Sequence, residues 1–193
     1  MGLVSDMPSG PGVIPEDSIA GIAEALPSHL ESFLLTCRTD PRAIAAQQHR
    51  CRTTTIQLCD RLAPGAHALL REAIPRTRLV QVVHVTGEES LREAESLDGI
   101  VDAILLDSGR PDLAVKELGG TGRVHDWEIS RAIVRAVAVP VILAGGLRAE
   151  NVGDAVEAVR PYALDVCTGV RTNGMLDEQK LSDFMREVRA IPL

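Results

Sequence analysis

The sequence predicts an α/β protein of the (β/α)8 TIM-barrel type, with seven strand–helix units and the first unit of the eight missing. Three observations predict it. Short apolar runs alternate with amphipathic segments along all 193 residues. Apolar residues make up 45% of the chain and aromatic ones only 2%, so Leu, Ile, Val and Ala must build the core, as in a parallel sheet covered on both faces. Several runs also end in a carboxylate or in glycine ("LLD", "LAGG", "VCTG"), and barrel enzymes keep their chemistry at those C-terminal strand ends.

The elements follow in order. Residues 1–6 (MGLVSD) read as a strand, and after a Pro/Gly loop residues 15–26 read as a helix with Pro15 at its start. Residues 32–37 form the next strand, and 40–51 a helix with Asp40 as N-cap and Pro41 in its first turn. Strand 54–59 leads to helix 63–74. Strand 78–85 leads to the charged segment 87–97, read as a helix with a solvated face. Strand 103–107 leads through a glycine loop to helix 126–137, strand 140–146 to helix 150–159, and strand 164–169 to helix 177–190. Such repetition means parallel strands joined by right-handed crossovers. An open doubly wound sheet is the other possible closure; the polar strand ends favour the barrel. No linker or low-complexity tract divides the chain, so a single domain over residues 1–193 is expected.

Composition narrows the function. A net charge of −7 and the lack of basic runs with interleaved aromatics argue against a nucleic-acid partner. No apolar stretch approaches the roughly 20 residues of a membrane span, and the N-terminus lacks the pattern of a secretion signal. Cys37, Cys51, Cys59 and Cys167 have no metal-ligand spacing. Reduced thiols in a cytoplasmic protein, with no metal, are expected.

The glycines carry the functional signal. Gly145 and Gly146 end one strand, and Thr168 and Gly169 end the next. Bare backbone lets N–H groups approach an anion, helix N-termini add partial positive charge, and barrels often bind phosphate at their last two strand ends. A third loop, "GGTG" at 119–122, is placed to fold over the same end as a lid. The competing reading of each glycine is a simple turn.

The ordered set "LLDSG", "GGTGRVHDW", "PVILAGGLRAENV", "VRPYALDVCTGVR" and "LDEQKL" followed by Phe184 resembles the phosphoribosylanthranilate isomerase family of tryptophan biosynthesis. The match runs over roughly residues 101–185, with "IPED" and "TIQLC" upstream in family order. The resemblance implies an intramolecular aldose–ketose isomerase without cofactor or metal. It would perform an Amadori rearrangement on N-(5-phosphoribosyl)anthranilate, as a monomer or homodimer. It implies Asp107 as the acid that opens the sugar ring. To act so, Asp107 must carry a proton at working pH, which partial burial favours. It implies Gln57 and Asp165 as substrate contacts, Asp165 toward the anthranilate amine. It implies Ala144, Gly145, Gly146, Thr168 and Gly169 as phosphate binders; Gly120 and Gly122 join them as the lid.

The chain also departs from the family pattern. Residues 1–6 align with the family's second strand, so its first strand, which carries the general-base cysteine, has no counterpart here. Pro11 stands near the place of an anthranilate-gripping arginine, and Cys59 replaces a histidine. Two explanations are open: a natural protein that begins upstream, or a catalytically silent phosphate-binding barrel acting as a sensor or interaction subunit. An isomerase of another aminoaldose phosphate is a third reading. Cys59 and Cys167 are considered as replacement bases, both on the face shared with Gln57 or Asp165. Asn151 reads as a helix cap, and His125 as a residue at a helix start beside Asp126. His84 ends a strand whose facing the alternation leaves open.

Overall fold

The computed structural model describes residues 1–8, 10–109, 116, 118 and 124–192. Its main sheet is parallel and seven-stranded, in the sequential order β1 (Gly2–Val4), β2 (Phe33–Thr36), β3 (Thr55–Leu58), β4 (Arg78–His84), β5 (Ala103–Asp107), β6 (Val141–Leu143) and β7 (Ala163–Leu164). Helices α1 (Glu16–Ala25), α2 (Pro41–Cys51), α3 (Ala66–Ala73), α4 (Glu89–Leu97), α5 (Trp127–Ala136), α6 (Val152–Val159) and α7 (Glu178–Ala190) connect and flank them. Each strand pairs with its sequence neighbours, and the sheet curls into an open barrel whose described edges are β1 and β7. The seven expected units are all present.

Local signals set the helix boundaries. Asp40 caps α2 by accepting from Ala43 N, with Pro41 at the first position. Asp126 caps α5 through Glu128 N and Ile129 N, and Asp177 caps α7 through Gln179 N and Lys180 N. At the other end of α2, Arg52 turns the chain with φ +54°, where glycine is the commoner choice. Among the described residues no helix is long and apolar enough to cross a membrane.

Strand alternation divides the core. The outer face packs under the helices in two clusters. One joins Leu3, Leu34, Ile56, Leu58 and Leu79 to Ile19, Ile44 and Leu70. The other joins Val83, Ile104, Leu106, Val141 and Leu143 to Ile133, Val152 and Phe184. The inner face forms a third cluster of Val80, Val82, Ala103, Leu105, Cys59 and Ala144, with Phe33, Leu35 and Ile142 against it. Register settles the open question of His84: it pairs with Asp107, and its same-parity neighbours Val80 and Val82 lie inside, so His84 faces the barrel interior.

The end of the chain differs from expectation. β7 is only two residues long, and Thr168–Val170 form a 3-10 turn instead of continuing it. A small antiparallel hairpin, β8 (Arg171–Thr172) and β9 (Met175–Leu176), then precedes α7. Its turn, Asn173–Gly174, has positive φ at both residues, the geometry that an Asn-Gly pair favours.

Candidate functional site

The C-terminal ends of β3 to β7 meet around the barrel mouth. Asp107, the last residue of β5, is buried at 8% exposure. Its Oδ1 accepts the N–H of Ser108 at 2.7 Å. Beside it, Gly145 and Gly146 follow β6 with φ of +80° and +66°. The two features touch. A β-carbon on Gly145 would stand 3.3 Å from Asp107 Oδ1, 3.1 Å from Ser108 N and 2.8 Å from His125 Nδ1. Gly145 is therefore required twice, by its backbone angle and by the groups crowding its Cα.

The second glycine turn is locked to the first. A β-carbon on Gly169 would fall 1.9 Å from Leu147 O and 3.1 Å from Arg148 Cα. The two loops thus meet backbone to backbone. Gly146, Leu147, Arg148, Thr168, Gly169 and Lys180 line a cavity of about 370 Å³ between them, large enough for a small ligand. Lys180 Nζ donates to Arg171 O at 3.0 Å, which holds its ammonium at this end of the barrel. Asn151 occupies the cap position of α6 but makes no capping bond with its side chain. Instead, its Oδ1 accepts from Arg148 N and its Nδ2 donates to Gly146 O, so it braces the glycine loop. The cap expected from the sequence is a loop brace.

The remaining sequence-predicted residues fall as follows. Gln57 is buried on the inner face, with its Nε2 4.0 Å from Cys59 Sγ. Ala144 is buried in the inner cluster. Asp165 continues the β7 ladder, its N–H bonded to Leu143 O at 2.9 Å. Its side chain is open to water on one side and surrounded by protein on the others. Partial desolvation and the negative charge of Asp107 push its carboxyl up to about 6. Gly120 and Gly122 lie outside the described residues. Of the same connection, Leu118 is buried in the inner cluster, and Lys116 forms an ion pair with Asp60 at the end of β3.

Burial holds both candidate cysteines as thiols. Cys59 is fully enclosed, and desolvation, then the charge of Asp107, drive its thiol far above the ordinary range. Cys167 is raised by desolvation despite the nearby Arg171. Neither offers a ready thiolate near neutral pH.

Two histidines flank Asp107. His84 places Nε2 3.0 Å from Cys59 O, while His125 places Nε2 2.8 Å from Ser130 Oγ. Among the described residues neither Nδ1 has a hydrogen-bond partner, and both atoms are buried. The sequence signal for His125 was its place beside Asp126; its approach to Gly145 comes only with the fold. Among the described residues no cluster of three or more His, Cys, Asp or Glu side chains is arranged to hold a metal ion.

Comparison with known proteins agrees with this architecture. The family model of N-(5'-phosphoribosyl)anthranilate (PRA) isomerase matches residues 39–187. The N-(5'-phosphoribosyl)anthranilate isomerase of Methanocella arvoryzae is 34% identical over 190 residues, 98% of this chain and 87% of that protein. N-(5'-phosphoribosyl)anthranilate isomerase 2 of Methanosarcina mazei is 36% identical over 169 residues, 87% of this chain and 74% of that one. In fold, the crystal structure of phosphoribosyl anthranilate isomerase from Thermus thermophilus matches with a TM-score of 0.81 at 24% identity, covering 98% of this chain and 86% of that chain. A barrel mouth with paired glycine turns, two relatives above 30% identity and a family match over most of its length together place this chain in the N-(5'-phosphoribosyl)anthranilate isomerase family.

Proposed function

We propose that this chain catalyses the Amadori rearrangement of N-(5-phosphoribosyl)anthranilate to its 1-deoxyribulose 5-phosphate product, in tryptophan biosynthesis. The observation that carries the reading is the contact of Asp107 with the Gly145 turn, which sets a buried carboxyl beside a glycine cradle. In this reading the backbone around Ala144, Gly145, Gly146, Thr168 and Gly169 holds the phosphate, so the sugar lies across Asp107. Asp107 gives a proton to the ring oxygen. The ring C–O bond breaks with its pair on that oxygen, and the amine lone pair forms the C=N bond. Loss of the C2 proton then gives the enolamine, which becomes the ketose. C1 is reduced as C2 is oxidised, so no external redox partner is needed.

Asp165 accepts from the anthranilate amine and Gln57 lines the pocket. Burial raises the thiols of Cys59 and Cys167, which weighs against either as the base that takes the C2 proton. The protein works in the cytoplasm, as a monomer or a homodimer, on a small phosphorylated substrate.

The test is turnover of N-(5-phosphoribosyl)anthranilate by the purified chain, paired with growth of an isomerase-deficient tryptophan auxotroph. Turnover that disappears in Asp107→Asn supports the proposal. Binding of a reduced product analogue without turnover defeats it in favour of a silent phosphate-binding barrel. Turnover confined to a different aminoaldose phosphate reassigns the substrate.

A further inference from the structure

The substrate of the proposed reaction has two anionic ends, a phosphate and a carboxylate ortho to the anthranilate amine. The mouth is acidic where that amine is read to lie, since burial and then the charge of Asp107 raise the carboxyl of Asp165. A third carboxylate brought beside these two is costly unless a cation meets it. Several cations near the strand ends are already committed to acids: Arg38 to Glu16, Arg61 to Glu93, Lys116 to Asp60 and Arg148 to Glu150. Lys180 and Arg171 form no ion pair with a carboxylate among the described residues. Lys180 lines the cavity of the glycine turns, which places it with the phosphate. Arg171 is left for the other end.

Arg171 bridges the open side of the barrel. It begins β8, directly after the Thr168–Val170 turn that follows β7. Its guanidinium reaches across to the connection that follows β1: a β-carbon on Gly12 would stand 3.4 Å from Nη2. Ile14 N–H donates to Val4 O at 3.0 Å, which holds that connection against the end of β1. From Nη1 the same guanidinium donates to Gly174 O at 2.7 Å, in the hairpin turn. It therefore sits between two glycine backbones, neither of which neutralises it. Residues 5–15 contain no lysine or arginine, so the connection brings no cation of its own. The charge of Arg171 is felt at Cys167, where the charges of Asp165 and Asp107 are felt as well. One sulfur thus lies within electrostatic reach of the proposed acid, the proposed amine contact and the guanidinium.

We propose that Arg171, reaching from the turn after β7 to Gly12 across the open side of the barrel, binds the substrate's carboxylate and makes the site select carboxylate-bearing N-aryl aminosugar phosphates. A planar guanidinium meets a carboxylate with two parallel N–H···O bonds, and at Gly12 no side chain stands against Nη2. With its phosphate on the glycine turns beside Lys180 and its carboxylate on Arg171, the substrate is held at both ends, and the sugar between them lies across Asp107. The inference rests on the isomerase reading above for the identity of the substrate; its test reads binding, not turnover.

The experiment compares two probes by calorimetry on the full chain: reduced 1-(o-carboxyphenylamino)-1-deoxyribulose 5-phosphate and its phenylamino counterpart, which keeps the phosphate and lacks the carboxylate. The wild-type chain should prefer the first by roughly ten- to a hundredfold, the range that hydrogen bonds to a charged group contribute. Arg171→Met should abolish that preference while binding the carboxylate-free probe as the wild type does. Arg171→Lys, which keeps the charge and loses the fork, should retain part of it. If the methionine variant does not fold, Arg171→Gln reads the same ratio. A purely structural role for Arg171 would weaken both probes alike. Equal binding of the two by the wild type, or a preference that survives Arg171→Met, overturns the assignment even if the enzyme turns over. A preference that depends on Arg171 in a chain without turnover defeats the isomerase reading and leaves the carboxylate site standing. Binding of neither probe removes both.

Discussion

Leu106 and Asp107 are neighbours in β5 and serve opposite faces of the sheet. Leu106 points outward into an aliphatic layer shared with Ile104, Leu143 and Ile133, all at 0% exposure. Asp107 points inward, level with His84 and beside the Gly145 turn. On β5 and β6 the outer face is apolar, in Ile104, Leu106, Val141 and Leu143, and gains its stability from area removed from water. The inner face is apolar through Val80, Val82, Ala103, Leu105 and Ile142 and carries His84 and Asp107 at the ends of β4 and β5. In the proposed reading one strand thus separates stability from chemistry by a single residue step, because side chains alternate with period two.

That comparison can be broken in several places. The largest effect belongs to the inner face. Asp107→Asn should lower kcat by about 10²–10⁴ while leaving the thermal midpoint close to wild type. A large fall in stability would mean that Asp107 is structural. Next is the outer face: Leu106→Ala should cost about 2–5 kcal/mol in denaturant unfolding, with the rate per folded molecule kept. If its rate falls as far as that of Asp107→Asn, the two faces are not separable.

Gly169→Ala tests the joint between the glycine turns. The added carbon overlaps Leu147 O, so the backbone must shift, at about 1–3 kcal/mol, and KM for a phosphorylated substrate should rise. An unchanged KM would place the phosphate elsewhere.

The smallest effect is the pH dependence contributed by Asp165. Its carboxyl is raised from 3.8 to about 6 in the folded chain, so the folded state holds that proton more tightly than the unfolded one. The stability this adds is full below pH 3.8 and is lost as pH rises through about 6. Asp165→Asn should flatten that decline, modestly because the side chain is exposed to water. Unfolding curves between those limits check it; a steeper decline in the variant would reverse the sign.

Much of this was legible in the sequence because it is local. Strand and helix order followed from apolar runs and helix starts, the cap Asp40 and the helix beginning at Asp126 among them. Asp107 stood out by its place at a strand end and by the family resemblance. What was not legible depends on contacts across the fold. His84 lies in "VQVVHV", where residues on both faces are buried, so alternation gives no sign of inside and outside until β4 is set against β5. His125 meets Gly145 across 20 positions of sequence, and nothing in "VHDW" announces it. Asn151 sits where a cap belongs, but loop geometry turns its side chain back to Gly146. The β8–β9 hairpin is different: Asn173–Gly174 is a strong turn signal, but flanking strands of two residues each carry no periodicity.

The central claim is that the carboxyl at 107 and the two glycine turns form one phosphosugar site. The most direct test is a crystal structure of the chain with a reduced 1-(o-carboxyphenylamino)-1-deoxyribulose 5-phosphate analogue. The phosphate should sit on the backbone N–H groups of the Gly145–Gly146 and Thr168–Gly169 turns, with a sugar hydroxyl within hydrogen-bonding reach of Asp107. A phosphate bound away from those turns, or a sugar out of reach of Asp107, would contradict it.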